Sequence, residues 1–114
     1  MTRIIVCGGR DYADQDAVDS ALDRVHAKRP VTMLVHGAAR GADSLADDWA
    51  KRRGVPREPH PYPSHLGRAG GPARNAEMAA AGADGCVAFP GGRGTDDMVW
   101  RAEYDSIPVW RPYG

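Results

Sequence analysis

The sequence predicts an α/β protein with a single Rossmann-like, doubly wound parallel sheet. About five strands are expected, in the order 3-2-1-4-5, with helices on both faces. Three observations lead there. Short β-branched runs alternate with amphipathic helical stretches along the whole chain, the pattern of crossover connections between parallel strands. Glycine-rich turns follow three of the strand-like runs, where such sheets place their ligand loops. The chain has 114 residues, of which 42% are hydrophobic, enough for one packed core, so residues 1–114 read as one domain.

The elements follow in order. Residues 3–7, Arg-Ile-Ile-Val-Cys, are a buried strand ending at Gly8-Gly9. A helix runs from about Asp14 to Lys28, with Val18, Ala21, Leu22 and Val25 on one face, and Pro30 stops it. Val31 to Val35 is the second strand, ending at His36-Gly37. The next helix starts near Gly41 and carries Ala42, Leu45, Ala46, Trp49 and Ala50 on one stripe; Gly54 stands where a C-cap belongs. Residues 57–62 suit only an edge strand, because Pro59 and Pro61 disfavour a central one. Five prolines and three glycines between Pro56 and Pro72 make the rest of that stretch a loop, read as a mobile lid preceding Arg74. A helix from about Pro72 to Ala81 has Pro72 in its first turn. Cys86 to Phe89 is a further strand, broken by Pro90-Gly91-Gly92-Arg93-Gly94, after which Thr95 or Asp96 caps a helix to about Tyr104. Ile107 to Trp110 is the last strand.

Charge and composition exclude several classes. Fifteen basic and fifteen acidic residues leave a formal net charge of zero, against a general nucleic-acid coat or a polybasic membrane binder. No apolar run approaches the roughly 18–20 residues of a membrane span, and the start of the chain lacks the apolar stretch of a secretion signal. Two cysteines are too few for a disulfide scaffold. A soluble, cytoplasmic protein is expected, with no membrane partner. The basic residues are 13 Arg and 2 Lys. Either coding bias or recognition of phosphate or carboxylate by the guanidinium fork explains that ratio, and position has to decide.

In a doubly wound sheet the ligand sits beyond the carboxyl ends of the strands, where the strand order reverses. Three turns fall on that edge: Gly8-Gly9-Arg10-Asp11, Gly37-Ala38-Ala39-Arg40-Gly41-Ala42-Asp43 and Pro90-Gly91-Gly92-Arg93-Gly94-Thr95. Glycines admit an anion close to the backbone, and the following helix offers unpaired N–H groups. Each turn also carries an arginine. No Lys-Ser or Lys-Thr pair completes a phosphate loop, and no G-x-G-x-x-G follows the first strand, so ATPase and nicotinamide dehydrogenase readings fail. No cofactor is expected. Arg74 and Asn75, opening the third long helix, add a fork for phosphate and an amide for a sugar or base edge.

These motifs in this order, Cys-Gly-Gly-Arg-Asp, His-Gly-Ala-Ala-Arg-Gly-Ala-Asp, Gly-Pro-x-Arg-Asn and Phe-Pro-Gly-Gly-Arg-Gly-Thr, resemble the SLOG superfamily. The nearest branch is that of the small stand-alone YspA, or cpYpsA-related, proteins. The resemblance runs from Arg3 to Val109 and implies a Rossmann-like domain that binds nucleotides, nucleotide-derived signals or nucleic acid, with a homodimer as the implied assembly. The expected ligand is a nucleotide-related small molecule. Its binding residues would be Gly8, Gly9, Arg10, Gly37, Arg40, Gly41, Asp43, Arg74, Asn75, Gly91, Gly92, Arg93, Gly94 and Thr95. The segment from Arg74 to Thr95 is also similar to the LOG phosphoribohydrolases, which release a base from a nucleoside monophosphate using an arginine and a glutamate. Arg74 matches the arginine. The glutamate position is Met98, whose thioether is no base, and Asp97 beside it points about 100° away on a helix. Glycosidic cleavage needs carboxylate help, so a LOG-like enzyme would have to draw on Arg74, Asp43 and Asp97. Gly37 to Asp43 and Arg74-Asn75 also resemble the Rossmann core of DNA-processing protein A. Zero net charge and few exposed aromatic candidates count against single-stranded DNA binding.

Other residues carry plainer expectations. Asp11 and Asp43 serve either as ligand acceptors or as helix-start acids. His36 reads as a packed or backbone-bonded histidine, and His60 and His65 lack partners at metal-ligand spacing, so no metal site is expected. Cys7 and Cys86 read as small buried hydrophobes on neighbouring strands, and Trp49 as core. Trp100, Trp110 and Tyr113 gather near the C-terminus, as a self-association surface or as ordinary packing.

Overall fold

A computed structural model describes residues 1–114. Five parallel strands, β1 (Arg3–Cys7), β2 (Met33–His36), β3 (Arg57–Pro59), β4 (Gly85–Ala88) and β5 (Val109–Trp110), lie in the order β3-β2-β1-β4-β5. Between them run α1 (Gln15–Lys28), α2 (Ala42–Arg53), α3 (Gly70–Ala80) and α4 (Arg93–Tyr104). The predicted strand order is the observed one.

Alternation along the strands divides the core in two. On one face, Ile4 and Val6 of β1 and Leu34 of β2 pack with Val18 and Leu22 of α1 and with Ala46 and Trp49 of α2. On the other, Ile5, Val35 and Cys86 meet Met78 and Ala79 of α3 and Met98, Val99 and Ala102 of α4. Each side chain of valine size or larger buried this way contributes roughly 1.5–3 kcal/mol relative to exposure. Trp49 is fully buried and donates its indole N–H to Asp23, as a core tryptophan must. Because α1 and α2 cover one face and α3 and α4 the other, the connections part between β1 and β4. A cleft opens there at the carboxyl edge.

Several boundaries differ from expectation. Asp14 is the N-cap of α1, its carboxylate accepting from the Ala17 N–H at 3.0 Å, so the helix begins one residue later. Gly54 closes α2 in the left-handed conformation, φ 68°, as anticipated. Neither Thr95 nor Asp96 caps α4. The helix starts at Arg93 after Gly92, because the N–H of Gly9 bonds the Pro90 carbonyl at 2.9 Å and ends the preceding turn early. Thr95 is thereby drawn inside the helix and buried. The β2 and β5 strands begin later than their β-branched runs, at Met33 and Val109, where parallel pairing starts. The proline-rich stretch is less open than predicted: after β3, a 3₁₀ turn over Ser64–Ala69 leads directly into α3, which starts at Gly70.

Near the C-terminus the three aromatics part company. Tyr113 stacks on Phe89 and donates to the Ala17 carbonyl, and Arg24 lies over the Trp110 ring, so both serve packing. Trp100 is 59% exposed and stacks with Tyr104 on the outer face of α4. Cys7 and Cys86 sit 3.9 Å apart, sulfur to sulfur, as free buried thiols. Their shared hydrogen bond, reinforced by burial, pushes the Cys7 thiol well above its ordinary range.

Candidate functional site

A cavity of about 600 Å³ opens at the β1/β4 switch point. The three glycine turns and the start of α3 wall it, and most predicted residues meet there: Gly8, Gly9, Arg10, Gly37, Asp43, Arg74, Asn75, Gly92, Arg93, Gly94, Thr95 and Asp97. Arg40, Gly41 and Gly91 do not line it. Gly41, at φ 78°, lies against the backbone of Gly9 and Arg10, where a Cβ would strike carbonyl oxygens. Gly91 lies against Gly9 and the Thr95 hydroxyl in the same way. These two glycines let the turns nest on one another and so shape the wall from behind. Arg40 stands farther out, 3.2 Å from Asp11, with both side chains mostly exposed.

Position sorts the arginines into two groups. Eight of the thirteen pair with carboxylates over the surface, such as Arg3 with Glu58, Arg52 with Asp19 and Arg53 with Asp23. Arg10, Arg24, Arg68, Arg74 and Arg93 have no carboxylate partner, and three of these five, Arg10, Arg74 and Arg93, line the cavity. Arg74 is held by donating Nη1 to the Gly37 carbonyl at 2.9 Å and Nε to Asn75 Oδ1 at 3.3 Å. Its guanidinium occupies the space a Cβ at Gly37 would need, 2.7 Å from that position. A side chain at position 37 would push that guanidinium out of its place.

Two carboxylates face the cavity and differ in environment. Asp43 Oδ2 accepts from the N–H groups of Gly37 at 3.1 Å and Ala39 at 3.2 Å, which holds the β2–α2 turn. Its Oδ1 has no partner within the chain, and no fully buried polar side-chain atom is left unbonded, so that oxygen meets the cavity. Burial raises the Asp43 pKa, against the opposing N–H groups of Ala39 and Gly37 and the Arg74 charge. Asp97 Oδ2 is occupied, accepting from Asn75 Nδ2 at 3.0 Å and from Arg101 Nε at 2.9 Å. Asn75 also donates to the Gly94 carbonyl, so this buried amide ties α3 to the first turn of α4. Met98, fully buried, lines the same wall.

His36 is packed and backbone-bonded, as expected. His36 Nδ1 accepts from the Ala38 N–H, which leaves Nε2 to donate to Asp47 at 2.8 Å. His60 bridges Glu58 and Glu77. No group of three His, Cys, Asp or Glu side chains is placed to hold a metal ion. No helix is long and apolar enough to cross a membrane.

One contributor was missed in the sequence. Tyr62 lies beside the cavity, with Arg74 over its ring at 6.0 Å. An aromatic set between Pro61 and Pro63 in a loop was the available signal.

The family model of the YspA, cpYpsA-related SLOG family matches residues 2–63, from β1 through the β2–α2 turn to the residue after Tyr62. The chain is similar to the Gene 61 protein of Mycobacterium phage D29, at 38% identity over 118 residues, spanning 96% of this chain and 94% of that protein. No solved structure matches. By a family match covering the first two glycine turns and a relative aligned along nearly its whole length, the chain belongs to the YspA, cpYpsA-related SLOG family.

Proposed function

We propose that the protein binds a nucleotide or nucleotide-derived small molecule in the switch-point cavity and holds it intact. The observation that carries this reading is the convergence of Arg10, Arg74 and Arg93, the cavity's three arginines without carboxylate partners, on glycine turns that leave backbone accessible. A phosphate at the start of α4 would meet the N–H groups of the first turn, with Thr95 and Arg93 beside them and Arg74 as a fork from across the cleft. Asp43 Oδ1 suits a ligand hydroxyl or N–H donor.

The test is mass spectrometry of a nucleotide panel incubated with the protein, comparing the bound fraction with total recovered species. Retention of one intact species is expected. Arg74→Ala should weaken its binding by about 10- to 100-fold, the worth of a charged hydrogen bond, and Thr95→Ala should weaken it less, both with unchanged folding. Unchanged affinity in both variants would overturn the assignment.

One observation favours a second reading, N-glycosidic hydrolysis of a nucleoside monophosphate. Asp43 is a carboxyl of raised pKa with an oxygen on the cavity, the environment of a general acid. Asp97 is the poorer candidate, being committed to Asn75 and Arg101. Free base appearing in the same incubation, and lost in Asp43→Asn, would replace binding with catalysis.

A further inference from the structure

Beside the cavity lies a second basin of about 280 Å³, and the two share Arg10, Gly37, Ala39 and Arg74. Only the outer basin touches Tyr62, Arg40 and Ala38. The two shared side chains that carry charge are therefore arginines without a carboxylate partner, and they stand at the junction. The inner chamber has its own cationic side chain, Arg93, beside Thr95 on the first turn of α4. Positive charge is thus offered twice, once inside and once at the junction, while the outer basin ends on an aromatic ring.

That ring is held in place. The Tyr62 hydroxyl donates to the Gly67 carbonyl, and the ring backs onto Gly70, where a Cβ would come within 2.9 Å of it. It is still 38% exposed and lines the basin, with the Arg74 guanidinium over it at 6.0 Å. A nucleoside monophosphate would engage Arg93, Thr95 and Arg74 at the first turn of α4 and leave Arg10 and the ring unengaged. Resting on the nucleotide reading above, we propose that the ligand is a diphosphate-bridged nucleotide carrying a second ring. One phosphate lies at α4, the next lies between Arg10 and Arg74, and the second ring, a sugar or a nucleoside, stacks on Tyr62 in the outer basin. Guanidinium forks suit successive phosphate oxygens, and an aromatic face takes rings of any identity.

The experiment is calorimetric titration with four probes for each of adenosine, guanosine, cytidine and uridine. These are the 5′-monophosphate, the 5′-diphosphate, the diphosphate-linked hexose and the symmetrical dinucleoside diphosphate. For the base that binds, one ring-extended probe should bind at least tenfold tighter than the monophosphate, and which one does so identifies the second ring. In Tyr62→Ala that ratio should fall toward one, while Tyr62→Phe should keep it. Equal affinity for monophosphate and extended probes, or a ratio untouched by Tyr62→Ala, overturns this inference and leaves the nucleotide reading standing. Binding of none of the sixteen probes overturns the nucleotide reading and this inference together.

Discussion

Asp43 sits in the first turn of α2, where an acid commonly serves the helix. Its oxygen instead accepts from Gly37 and Ala39, on the turn that approaches the helix. The side chain therefore holds a loop, and only its second oxygen is left for a ligand. Asp43→Ala would strand two N–H groups and should cost about 2 kcal/mol in urea unfolding. Asp43→Asn keeps an acceptor without a buried charge and should recover most of that loss. Because burial raises the folded pKa, Asp43 contributes most to stability at pH below about 4, the ordinary carboxyl range, and less as pH rises through its raised folded value. The Asn variant lacks that slope, so its stability should gain on the native protein toward neutral pH.

At the scale of elements, the site is built from turns that touch each other before they touch any ligand. The Gly9 carbonyl accepts from Ala42 at 3.1 Å and the Gly9 N–H donates to Pro90 at 2.9 Å, so the β1–α1 turn is clasped by both others. Gly41 makes the first contact possible through its positive φ and its missing Cβ. Gly41→Ala should lower stability by about 2–3 kcal/mol, from left-handed strain and a backbone clash together, and should weaken nucleotide binding as the wall shifts. A urea midpoint equal to that of the native protein would show that the turn relaxes freely. The glycine turns and their arginines were legible in the sequence as loops at the carboxyl edge of the sheet, and the turns line the cavity there. Which glycines face the cavity and which face another turn was not, because that division arises from loops far apart in the chain.

At the scale of the molecule, one polar cluster crosses the sheet at its β3 edge. Arg3 at the start of β1 reaches past β2 to make two bonds with Glu58 of β3, and His60 joins Glu58 to Glu77 of α3. Arg3 first, then His60, holds the Glu58 carboxyl down at about 2. A lowered folded pKa stabilises above the unfolded value near 4.5 and is lost as pH falls through the folded one. Glu58→Gln should therefore lower stability by about 1 kcal/mol at pH 7, as for a partly exposed pair. Thermal melts between pH 5 and pH 3 should show the gap to the native protein closing. A constant gap would mean that the glutamate acts by packing.

The sequence alone determined the strand order, the two-faced burial and the edge on which the cavity opens. Those rest on local periodicity and on the handedness of crossovers, which neighbouring residues encode. Tertiary structure decided which of thirteen arginines remain without a carboxylate, which oxygen of Asp43 is left over, and that Asp97 serves Asn75 and Arg101. It also brought Tyr62 to the cavity. Each of these depends on partners between 4 and 55 residues away in the chain, and pairing at the longer of these separations is set by packing, which no local pattern records.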